Sequence, residues 1–75
     1  MKLPRDLSGA DVVRALERLG FRAVRRNGSH LRLTSGSLGD SRHVTVPLHG
    51  SVAPGTLKNI LRQAGVGLET FLERL

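Results

Sequence analysis

Apolar and polar positions change period along the chain, and each change marks an element. From Ser8 the stripe Val12, Leu16 and Leu19 recurs at helical spacing, with Val13 and Ala15 widening it. Ser8 followed three residues later by Asp11 is a short capping box, and Gly20 is a natural terminator. This pattern predicts a helix over about 8–19. The period then falls toward two. A strand is predicted at 21–26 and a return strand at 29–34, where Leu31 and Leu33 alternate with His30, Arg32 and Thr34. Asn27-Gly28 between them is a strong hairpin dipeptide, because both central residues of a type I′ turn need positive φ. A polar loop covers 35–41. A third strand over 42–47 sets Val44 and Val46 against His43 and Thr45, and Pro47 closes it. After a connector at 48–53, Pro54 suits the first turn of a helix with Leu57, Ile60, Leu61 and Ala64 on its apolar face. Gly65 stops that helix. Leu68, Phe71, Leu72 and Leu75 predict a short terminal one.

The order is α-β-β-β-α with a short extra C-terminal helix, an α+β class. Three antiparallel strands with helices on one face bury these stripes most economically. The chain has 75 residues. That length suits a single domain, 1–75, with a small core. It holds no cysteine, so neither a disulfide framework nor a thiolate metal site is available. The first residues lack the apolar run of a signal peptide, and no stretch approaches the roughly 20 apolar residues of a membrane span. A cytoplasmic location, with no membrane partner, is therefore expected.

Charge sharpens this picture. Twelve Lys and Arg face six Asp and Glu, a net charge of +6. The excess concentrates in residues 21–50, where Arg22, Arg25, Arg26, Arg32 and Arg42 face Asp40 alone. A polyanion is the natural partner of such a segment. The only aromatics are Phe21 and Phe71. That argues against a surface that reads single strands by stacking bases on aromatic platforms.

A two-residue turn at Asn27-Gly28 would fix the register. Arg25 would oppose His30, Val24 would oppose Leu31, and Ala23 would oppose Arg32. Val24, Leu31 and Leu33 would then face the helices, with His30, Arg25 and Arg32 on the open side. The pattern is imperfect, since Arg22 falls on the Leu33 face and Phe21 on the open one. A bulge, or Phe21 lying before the strand proper, would resolve it. A neutral imidazole accepts a proton near pH 7. Beside arginines, it is suited to take the proton of an RNA 2′-OH while guanidinium groups stabilise charge on the phosphate. Most exposed strand histidines do no chemistry, however, and residue context alone leaves this a minority reading of His30.

Three segments together resemble the HicA (YcfA-like) family of toxins: "LERLGFRAVRRNGSHLRLT", "VTVPLHG" and "GTLKNILRQAGV". The resemblance runs over roughly residues 7–72. Its motifs are Gly28-Ser29-His30, Val44 to Pro47 with His49, and Gly55 to Lys58 running into Ile60-Leu61. It implies a double-stranded-RNA-binding-domain-like fold and an mRNA interferase, a metal-independent endoribonuclease needing no cofactor. It also implies a HicB-type antitoxin that masks the active site, expected here to cover the face of His30 and Arg25. The catalytic histidine of the family's Gly-Ser-His motif maps onto His30. Arg25, Arg26, Gly28, Ser29, Arg32, Thr56 and Lys58 are candidate RNA contacts. For Thr56 and Lys58 the plain alternative is an ordinary solvated helix face.

His43 and His49 are possible accessory groups. His43 reads more simply as a solvated strand residue, while His49 suits holding the connector or touching substrate equally well. A zinc site is improbable, since neither carboxylates nor cysteines accompany the histidines. A nucleophilic Ser29 is disfavoured because adjacent strand residues point to opposite faces. The rival function is a non-catalytic module for double-stranded or structured RNA, in which His30 only donates a hydrogen bond.

Overall fold

The computed structural model describes residues 6–36, 41–48 and 50–75. The elements follow in the order α1 (Gly9–Arg18), β1 (Arg22–Asn27), β2 (His30–Ser35), β3 (Arg42–Pro47), α2 (Pro54–Ala64) and α3 (Leu68–Leu72). This is the α-β-β-β-α layout with a short C-terminal helix. The three strands form one antiparallel sheet in the order β1-β2-β3. Residues 37–40 of the predicted loop lie outside the described residues, as does His49.

Both long helices are delimited by local chemistry. Ser8 and Asp11 form a reciprocal capping box: the Asp11 amide donates to Ser8 Oγ and the Ser8 amide to Asp11 Oδ2, each at 3.1 Å. Two otherwise orphaned donors are thereby satisfied. Asp11 also accepts from Arg14 at 2.6 Å. The backbone and hydroxyl hydrogen bonds from Ser8, followed by that from Arg14, hold the Asp11 carboxyl below its ordinary range. At the other end the Gly20 amide donates to Glu17 O and the Phe21 amide to Leu16 O. This pair of bonds is a Schellman closure, and Gly20 takes the positive φ that it requires. α2 ends the same way, with the Gly65 amide on Arg62 O and the Val66 amide on Leu61 O. The Arg42 guanidinium lies against Gly65, where a cation complements the negative end of the helix.

The buried face of the sheet carries Leu33, Val44 and Val46. They join Val12 and Leu16 of α1, Leu57 and Ile60 of α2, and Phe71 of α3 in one apolar cluster. Full burial of each such side chain contributes about 1.5–3 kcal/mol. The approach of α1 is close. A Cβ on Gly9 would collide with the Pro47 carbonyl and stand 2.9 Å from Leu48 Cα. The connector after β3 is tied down by two backbone bonds, Leu48 N to Ser29 O at 2.6 Å and Val52 N to Leu7 O at 2.7 Å.

The β1–β2 register corrects the sequence expectation. The turn residues are Gly28 and Ser29, and Asn27 pairs with His30, Arg26 with Leu31, and Arg25 with Arg32. Arg25 therefore opposes Arg32, not His30. Of the two turn residues, only Gly28 has a positive φ, as a type II′ turn needs at its first central position. Moving the turn by one residue shifts each partner by two. Side chains alternate with period two, so faces are kept although partners change. A bulge then falls between Ala23 and Arg25, leaving Val24 as the extra residue. Beyond it Ala23 opposes Leu33 and Arg22 opposes Thr34. Val24, expected to face the helices, is half exposed. Phe21, expected on the open side, is buried in the core.

Candidate functional site

The face of the sheet turned away from the helices is set by three cross-strand rows. The first is Asn27, His30 and Pro47; the second is Arg25, Arg32 and Thr45; the third is Arg22, Thr34 and His43. Directly opposed side chains stand about 4.5–5.5 Å apart at Cβ. Successive rows are two residues apart, about 7 Å along an antiparallel strand. Arg22, Arg25, His30, Arg32, His43 and Thr45 are all exposed. The first two rows shape an open depression of about 360 Å³, lined by Arg25, Asn27, His30, Arg32 and Thr45.

His30 owes its place to local sequence. Gly28 accepts the positive φ of the turn, Ser29 completes it, and His30 begins β2 at the turn's edge. Leu31 is partly buried and Leu33 wholly so, which anchors the strand and holds His30 and Arg32 outward. At the same edge the Leu48 amide donates to Ser29 O, which ties the turn to the end of β3. Two guanidinium groups thus lie one row from the imidazole. Asn27 and Thr45 add an amide and a hydroxyl to the same concavity. The arrangement can bind a phosphate in contact with a proton-transfer group.

Some expected residues are not brought here. Arg26 shares the Leu31 face, and its Nε donates to Gly28 O at 3.2 Å, bracing the turn. Thr56 and Lys58 are exposed in the first turns of α2, on the helical layer, and do not line the depression. His43 does lie on the open face, but two rows from His30, about 14 Å along the strand. It cannot share one proton-transfer step with His30 at that separation. His49 is outside the described residues.

Sequence reasoning missed Asn27, Thr45 and Arg22. Asn27 was taken up by the expected turn. Thr45 was visible in the alternation of β3, once Leu33 is set against Val44. Arg22 reaches this face only through the bulge at Val24, and its sole signal was the broken alternation at Phe21-Arg22.

The family model for the HicA toxin of bacterial toxin-antitoxin matches residues 9–66. The chain belongs to the HicA toxin family. That match includes every strand and both long helices, so it covers the whole open face with its depression. Membership makes this a toxin component of a toxin–antitoxin system and implies an antitoxin counterpart. No curated protein matches the chain. Among the described residues of this HicA-family chain, no group of three or more His, Cys, Asp or Glu is placed to hold a metal ion. No helix among them is long and apolar enough to cross a membrane.

Proposed function

We propose that this HicA-family toxin is an mRNA-cleaving endoribonuclease, acting without a metal, with His30 as its general base and then acid. The observation that carries the reading is the Gly28-Ser29-His30 turn edge, opening into a depression with Arg25 and Arg32 inside a family-matched chain. His30 takes the proton of a ribose 2′-OH. The 2′ oxygen attacks the adjacent phosphorus, the bond from phosphorus to the 5′ oxygen breaks, and that oxygen receives a proton from water or the imidazolium. Arg25 and Arg32 stabilise the charge gathering on the phosphate oxygens. The products are a 2′,3′-cyclic phosphate and a 5′-hydroxyl. DNA has no 2′-OH and stays intact.

Asn27, Gly28 and Ser29 support the scissile phosphate through the turn, while Thr56 and Lys58 would contact RNA that continues onto the helical layer. A HicB-type antitoxin would act by covering the open face, within the cytoplasm. The test compares wild type with His30→Ala for RNA cleavage in EDTA and for growth arrest. Loss of a general base should slow cleavage by about a hundredfold or more. A folded His30→Ala protein with full activity would sink the mechanism. Salt-dependent RNA binding by wild type, without any cleavage, would favour a non-catalytic RNA-binding module instead.

A further inference from the structure

The geometry points to a second phosphate subsite on the open face, formed by Arg22, Thr34 and His43. It takes the next backbone phosphate along the RNA strand from the scissile one, which His30, Arg25 and Arg32 hold together. This rests on the ribonuclease reading of the same face and extends it from one phosphate to a track.

The three rows of that face run in line along the strands. His30 lies in the first, the facing pair Arg25 and Arg32 in the second, and Arg22 with His43 in the third. The row spacing of about 7 Å is comparable to the through-space separation of successive phosphates in an extended single strand. With the scissile phosphate held between the first two rows, a strand laid along β2 brings its next phosphate to the third. The third row offers a guanidinium from β1, a hydroxyl from β2 and an imidazole from β3. Arg22 and His43 are exposed there and Thr34 partly so.

The fold spends a bulge to make this row. Without the extra residue at Val24, Arg22 would fall on the Leu33 face and the third row would lack its cation. Arg42 is one residue from His43 and so lies on the opposite face of β3, with its guanidinium beside Gly65 at the end of α2. Arg22 thus carries the row's formal charge. Both Phe residues are buried in the core and the chain has no Tyr or Trp, so this face offers bases no large aromatic platform. Recognition falls on the sugar–phosphate backbone, which predicts strong salt dependence and little base preference.

The test is binding of a single-stranded eight-nucleotide RNA, 2′-O-methylated so that it cannot be cut, over a range of salt concentrations. Arg22→Ala should weaken binding about three- to tenfold at low salt and lower the salt slope by about 0.7, one single-strand phosphate contact. Arg22→Lys should restore the slope, and Arg62→Ala on α2 should leave it at the wild-type value. An unchanged slope in Arg22→Ala, or an equal fall in Arg62→Ala, would overturn the subsite. The same proteins are assayed on cleavable RNA. Cleavage by wild type with a silent Arg22→Ala rejects the track alone. Arg22-dependent binding without cleavage rejects the nuclease reading and leaves the track standing.

Discussion

Leu33 and Arg32 are neighbours in β2, yet one is wholly buried against the helices and the other stands in solvent beside a histidine. The same contrast runs through the whole sheet. Its inner face is Leu33, Val44 and Val46, sealed by Val12, Leu16, Leu57 and Ile60. Its outer face is His30, Arg32, His43 and Thr45, reinforced by Arg25 and Arg22 from β1. One backbone supports both because pleated strands send alternate side chains to opposite sides. The inner face supplies stability, which scales with apolar area removed from water. The outer face contributes little to stability and is therefore free to concentrate like charge, which the inner face would not tolerate.

If that division is right, stability and RNA contact should separate by residue parity. The largest effect is expected at Leu33→Ala, where loss of a fully buried side chain costs about 2–5 kcal/mol. Arg32→Ala should change stability by no more than about 0.5 kcal/mol while weakening RNA binding. Urea titrations of the two variants, read beside RNA affinity, check both halves. Equal destabilisation by the two would break the comparison.

Gly28 sits where the faces meet, at the turn that sets the β1–β2 register. A Cβ there would touch nothing, so Gly28→Ala costs only the strain of φ +63° in an L-residue. About 1–2 kcal/mol should be lost by chemical denaturation. A loss near zero would mean that the turn can be remade on other residues.

The smallest effect is expected away from the sheet, at the α1 cap. Asp11 has its carboxyl pKa lowered in the folded protein, so the unfolded state binds its proton more readily. Its contribution is complete above the ordinary carboxyl value of about 3.9. It is lost as pH falls through the lower native value. Between about pH 5 and pH 2, wild type should therefore lose more stability than Asp11→Asn. Parallel acid titrations followed by circular dichroism would show it, and coincident curves would remove Asp11 from the account.

The contrast between the faces was legible in the alternation of 30–34 and 43–46, and so was the outward direction of His30 and Arg32. Partners across β1–β2 were not. Asn27-Gly28-Ser29 holds two overlapping two-residue turns, a type I′ at Asn27-Gly28 and a type II′ at Gly28-Ser29, and local propensity favours the first. The structure uses the second. The depression was therefore anticipated in its histidine and arginines but not in Asn27, which the expected turn had consumed.

By itself the sequence determined the elements, their order and where the two long helices begin and end. Capping boxes, glycine terminators and apolar periods act within a few residues, so no distant contact is needed to read them. Tertiary structure decided the phase of β1. At its start, the Schellman closure of α1 and the burial of Phe21 fix which way the chain enters the sheet. At its end, the Gly28-Ser29 turn fixes which residues face outward. The two constraints are one residue out of step, and the bulge at Val24 absorbs the difference. That mismatch exists only once helix, turn and core are assembled, and it is what puts Arg22 on the open face.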